Sequence, residues 1–147
     1  MGGYTALALA GGRPLTGPYE QEGPGRPVRV EPDGRVRALV LLAPACGWFH
    51  FPGALSGVDV PILLLTAGRD ELRAHLFTEL VETGVADPTR VDHRVIPDAG
   101  HFAFQSPFPP AMRRPDFPPS QDPEGFDREA FQPVLHSAIL TFLGNTL

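Results

Sequence analysis

Apolar positions fall into six runs whose period changes along the chain. The first, GYTALALAG over 3–11, is apolar on nearly all sides and rich in Ala. It predicts a helix buried in a larger body, ended by Gly11, Gly12 and Pro14. ALVLLAPA over 38–45 is a run of branched and apolar residues closed by proline, the pattern of a strand covered on both faces. VDVPILLLTAGRD over 58–70 repeats that pattern, with a strand at 61–66 and a glycine turn after it. From 71 the period lengthens: Leu72, Leu76, Phe77, Leu80 and Val81 make one helical stripe within 71–84, stopped by Gly84. VDHRVIPDAG over 91–100 is a third, shorter strand with alternation, ending at Pro97. Phe131, Val134, Leu135, Ala138, Ile139, Phe142 and Leu143 then follow i, i+3, i+4, i+7 spacing and predict a closing helix. Two starts compete for it. One has Asp127 as the cap with Phe126 and Phe131 as a hydrophobic staple; the other begins at Gln132 with Pro133 in the first turn.

Two connections interrupt this order. Pro14, Pro18, Pro24, Pro27 and Pro32 make 13–36 an irregular link. Over 105–126, seven prolines fall between Pro107 and Pro123 among aromatic residues. Proline removes a donor and fixes φ, so this stretch is neither helix nor central strand. Its length points to a Pro-rich loop or a lid. Helix, strand, strand, helix, strand, helix with near-continuous apolar strands reads as an α/β fold with a parallel sheet. Three parallel strands are too few for a complete doubly wound domain, and the first strand would present an unpaired apolar edge. No internal repeat is found.

Composition narrows the partners. The 147 residues suit one domain, and 42% hydrophobic content makes it globular. Net charge is −5, and the 12 basic residues are all arginines, scattered rather than gathered. Nucleic acid is therefore not an expected partner. Cys46 stands alone, which rules out an intrachain disulfide and a cysteine-only zinc site. No cofactor is expected. No apolar run approaches the roughly 20 residues of a membrane helix. The N-terminus lacks a basic n-region and a cleavage site, so no signal peptide is read. Compartment stays open, with a lean toward a soluble protein.

Parallel α/β sheets build their sites at the carboxyl ends of strands. Asp70 follows the second strand through Ala67-Gly68-Arg69, and His101 follows the third in PDAGHF. On neighbouring strands, about 5 Å apart, the two loops bring a carboxylate to an imidazole. The carboxylate fixes the tautomer, and the other ring nitrogen can take a proton from a nucleophile. The opening MGGYTALALAGG supplies the third element. A serine placed just before Met1 would complete S-M-G-G, the second half of a G-x-S-x-G nucleophile elbow, in the chain order Ser, Asp, His.

Each of these residues also suits a plainer role. Asp70 before a helix is an ordinary N-cap, and His101 after Ala-Gly an ordinary loop histidine. Gly2 and Gly3 also suit plain helix packing. Cys46 reads as a small buried thiol rather than a nucleophile. Ser56, Ser106, Ser120 and Ser137 have no elbow context. His93, Asp98 and His101 make an unconvincing metal set, with His93 inside a strand. Trp48, Phe49, His50 and Phe51 either line a pocket or cover the core.

MGGYTALALAGG, RALVLLAPA, VPILLLTAGRDE, IPDAGHFAF and GFDREAF together resemble the C-terminal half of an α/β-hydrolase. They stand nearest to the predicted dienelactone hydrolases related to platelet-activating-factor acetylhydrolases. The resemblance spans almost all of this chain and about half of the family's domain. It implies a partial α/β-hydrolase fold: the last three parallel strands with flanking helices, the N-terminal half of the sheet missing. It further implies Asp70 as triad acid, His101 as triad base, Met1 as the oxyanion-hole amide, and Gly2 and Gly3 as the elbow glycines. The nucleophile and the other oxyanion donor are not in this chain. Some dienelactone hydrolases use cysteine in the elbow, but Cys46 lies a whole strand away.

The expectation is a serine hydrolase acting on a small-molecule carboxylic ester, this chain alone being inactive. The competing expectation is a truncated or split hydrolase fragment that binds a separate N-terminal half or self-associates. An enzyme using Cys46 ranks third.

Overall fold

A computed structural model describes residues 2–17, 25–72 and 77–147. Three helices, α1 (Gly2–Leu9), α2 (Thr78–Gly84) and α3 (Arg128–Thr146), flank strands β1 (Leu39–Leu42), β2 (Ile62–Ala67) and β3 (Val91–Ile96). The sheet runs β1-β2-β3 and is parallel throughout. Leu39 pairs with Ile62, and Ile62 with Val91. The middle strand is buried at every position, which is why its sequence is an unbroken apolar run.

Side-chain alternation splits the core into two layers. Leu39, Leu41, Ile62 and Leu64 pack with Leu7 and Ala8 of α1, Val81 of α2, and Phe49, Leu55 and Val58 of the link between β1 and β2. Leu63 and Leu65 face the other way, against Leu135 and Phe142 of α3. Trp48 and Phe49 close over α1 through Tyr4, at ring separations of 5.5 and 5.7 Å, so these aromatics cover core. Phe49, His50 and Phe51 also line a separate hollow of about 330 Å3 against α2.

Several elements depart from the sequence expectation. Helix α1 buries Leu7 and Ala8 against β1 and the link after it, while Thr5 and Leu9 are exposed. Strand β1 stops at Leu42: Ala43 turns to φ 41°, and Pro44 follows with no N–H to give. The stripe expected over 71–84 becomes α2 only from Thr78. Leu72 is 59% exposed, because Asp70 draws its N–H into a turn. Leu76 lies outside the described residues. The link over 13–36 carries a Leu15–Pro27 bridge, and 18–24 likewise lie outside. Helix α3 takes the earlier of its two starts. Asp127 accepts from the Ala130 N–H at 3.0 Å, Phe126 and Phe131 meet at 5.4 Å, and Pro133 sits inside the helix.

The Pro-rich segment folds into short turns, two of them 3-10 turns at Pro110–Met112 and Pro118–Ser120. Arg128, its side chain 3% exposed, fastens the segment to α3. The guanidinium donates to Asp122 Oδ1, Pro119 O and Gln121 O at 2.8 to 2.9 Å. Arg113 adds an ion pair with Glu129.

Candidate functional site

The loops that leave β2 and β3 at their carboxyl ends are bound to each other. Gly68 N donates to Ile96 O at 2.8 Å, and Arg69 N to Ala99 O at 2.9 Å. Only glycine permits this approach. A Cβ on Gly68 would lie 2.8 Å from the Pro97 carbonyl carbon and 2.9 Å from its Cα. The Arg69 guanidinium pairs with Asp98 at 3.1 Å and donates to Glu124 O at 3.0 Å, tying in the end of the Pro-rich segment.

This closeness brings Asp70 to His101. Asp70 Oδ2 lies 3.0 Å from His101 Nδ1, with the carboxylate side chain 1% exposed and the imidazole 22%. Asp70 Oδ1 accepts from Leu72 N at 2.9 Å, so the buried carboxylate is engaged at both oxygens. Asp70 is not the N-cap of α2, whose cap position is Phe77; its second oxygen closes a turn over 70–72. A carboxylate at Nδ1 holds the proton there, which leaves Nε2 as the basic nitrogen. The next residue also reaches across: Glu71 Oε2 accepts from the His101 backbone N–H at 3.1 Å. Sequence reading missed Glu71, although it stands beside Asp70 in the RDE triplet.

His101 opens onto a cavity of about 380 Å3. Across it lie Gly2 and Gly3 at the start of α1, with Val40, Leu42, Ala43, Pro44 and Ala45 from the end of β1, and Phe104 and Gln105. His101 is the one ionisable side chain among these residues. Gly3 fits because a Cβ there would stand 2.6 Å from Pro44 Cβ, whereas nothing lies within 4 Å of one on Gly2. Ala43, with its positive φ, is a strained non-glycine position on the same wall. Met1 lies outside the described residues.

Other candidates stand apart from this cavity. Cys46 is fully buried in the core, and burial pushes its thiol up to about 12 from the ordinary 9.0, so it is not a nucleophile near neutral pH. His93 is held at both nitrogens, by Thr66 Oγ1 and by Glu82 Oε1, each at 2.8 Å, which ties α2 to the sheet. Ser120 hydrogen-bonds to Arg114 and Phe117 within the Pro-rich segment, and Ser56 to Gly53 O. Among the described residues no three His, Cys, Asp or Glu side chains converge as a metal site, and no helix is long and apolar enough to cross a membrane.

No family model, curated protein or solved structure matches the chain. Its class rests on its own geometry: a three-stranded parallel α/β sheet with a carboxylate–imidazole pair at the carboxyl ends of β2 and β3.

Proposed function

We propose that this chain is the acid–base part of an α/β-hydrolase-type serine hydrolase that cleaves carboxylic esters. The observation that carries the reading is the buried Asp70–His101 pair, 3.0 Å apart, facing a cavity shared with the first turn of α1. The attacking serine would stand immediately before Met1. Its Oγ would bond to the ester carbonyl carbon while its proton passes to His101 Nε2. Collapse of the tetrahedral intermediate breaks the carbon–oxygen bond, and His101 returns the proton to the departing alcohol. Water then attacks the acyl-serine with His101 again as base, releasing the acid. Asp70 stabilises the imidazolium in both halves of the cycle. In this reading the N–H groups at the start of α1, which lack partners within the helix, would face the oxyanion, and Met1 would supply the oxyanion-hole amide.

The cavity wall fits an uncharged, moderately apolar acyl group, since His101 is the sole ionisable side chain among the described residues that line it. The free edge of β1, which pairs with no other strand than β2 among the described residues, also supports the reading, because half-buried Val40 and Leu42 suit a further strand alongside. That same edge favours a second reading, a non-catalytic half that binds a separate N-terminal half.

The test is to express the reading frame extended upstream through a G-x-S triplet and assay p-nitrophenyl esters of short acids. The extended protein should turn over and label with an alkyl fluorophosphonate, while the 147-residue chain does neither. Asp70→Asn should lower kcat roughly 10^3- to 10^4-fold, and His101→Ala comparably. An extended protein that stays active as His101→Ala refutes the site. A stop codon directly upstream turns the balance to the second reading.

A further inference from the structure

We infer that Glu71 is a positioning residue for His101, acting as a neutral acceptor would and not through its charge. The inference rests on the reading of Asp70–His101 as the acid–base pair. His101 begins a 3-10 turn over His101–Phe104, and Gly100 before it has no side chain with which to cap the turn. The first N–H groups of such a turn lack internal partners. Glu71 fills that vacancy from 30 residues away, its Oε2 taking the His101 N–H at 3.1 Å.

Asp70 and Glu71 are consecutive, so one loop grips one histidine at two points. Asp70 holds the ring at Nδ1, and Glu71 holds the backbone from which the ring projects. A single bond at Nδ1 would leave the imidazole free to swing with its loop. The second bond fixes the Cα, so that ring orientation and carboxylate distance are set together. Gly100 is part of the device. A Cβ there would lie 3.2 Å from Glu71 Oε2 and 3.0 Å from Pro123 Cγ, so the bare backbone is what lets Glu71 close over it. Glu71 is exposed, so removing it disturbs no core. Glutamine keeps an acceptor oxygen at the same reach and drops the charge, which separates the two roles.

The readout is the ring nitrogen shifts of His101 in the 147-residue chain, measured by 15N NMR at a pH where the ring is neutral. The ratio of Nδ1–H to Nε2–H tautomers reports how well Asp70 holds the ring. Wild type should favour Nδ1–H, and Asp70→Asn should abolish that preference. Glu71→Ala should reduce the ratio roughly three- to tenfold, the equivalent of one hydrogen bond, and Glu71→Gln should stay within about twofold of wild type. The inference is overturned if Glu71→Ala matches wild type, or if Glu71→Gln is as damaging as Glu71→Ala. In the extended protein Glu71→Ala should lower kcat with KM unchanged. The tautomer ratio is read without substrate, so an intact NMR pattern beside a failed ester assay sinks the hydrolase reading alone.

Discussion

Replacing Gly68 with alanine should uncouple the two loops without touching either member of the pair. The backbone at Gly68 is not in the left-handed region, so the effect is purely one of space. The new Cβ would stand 2.8 Å from the Pro97 carbonyl carbon, about 0.7 Å inside the ~3.5 Å at which carbon atoms pack without strain. Both neighbours are backbone, so no side chain can rotate aside. The strands must part, which strains or breaks the Gly68–Ile96 and Arg69–Ala99 bonds. Two hydrogen bonds at roughly 1 kcal/mol each, with an overpacking cost of 1–3 kcal/mol, give about 3–5 kcal/mol. The same displacement carries Asp70 from 3.0 Å to beyond hydrogen-bond reach of His101. Urea unfolding followed by circular dichroism measures the first effect, and the His101 tautomer ratio the second. Gly34→Ala is the control, since nothing lies within 4 Å of its Cβ position. A Gly68→Ala protein within about 0.5 kcal/mol of wild type, the scale of an ordinary surface substitution, and with its tautomer ratio intact, would refute this account of how the loops are joined.

Two further outcomes follow from single residues. Arg128→Met removes a buried guanidinium with three acceptors, at a cost of about 3 kcal/mol; trypsin should then cut between Arg113 and Arg114, the bond after Arg114 being protected by Pro115, well before global unfolding, and an unchanged cleavage rate would show that Arg128 does not hold the segment. Cys46 keeps its proton more tightly folded than unfolded, because burial raises its thiol to about 12 from 9.0. Its contribution is fully present below pH 9 and is lost as pH rises toward 12, at up to about 1.4 kcal/mol per pH unit. Cys46→Ala should flatten that alkaline loss in urea melts, and a thiol reagent should label the wild type only on unfolding; fast native labelling would contradict the burial.

Much of this architecture was legible because each part rests on local chemistry. The run ILLLT suits a strand covered on both faces, and β2 is that strand. The Asp70–His101 meeting followed from a simple rule: loops after adjacent parallel strands converge at their carboxyl ends. It needed only that β2 and β3 be neighbours, as they are. The Pro133 ambiguity at α3 was resolved by the cap. Asp127 engages the Ala130 N–H, and the Phe126–Phe131 staple adds apolar contact, so the helix begins before its proline.

The illegible parts depend on register and on contacts between distant segments. The parallel pairing sets His93 opposite Leu64, which puts Thr66, two residues on, on the same face within reach of the ring. Nothing in VDHRV announces that partner, because a histidine within a strand looks alike whether it meets water or a hydroxyl. Leu72 misled for the opposite reason. Its spacing matched the α2 stripe, but its N–H goes to the Asp70 carboxylate in a turn and its side chain is 59% exposed. The same carboxylate that holds His101 thus also shapes the turn after β2, one oxygen on the imidazole and the other on the Leu72 N–H. Periodicity records which residues are apolar. It does not record where a polar side chain will turn back upon its own chain, and here that turn is what leaves Glu71 free to reach His101.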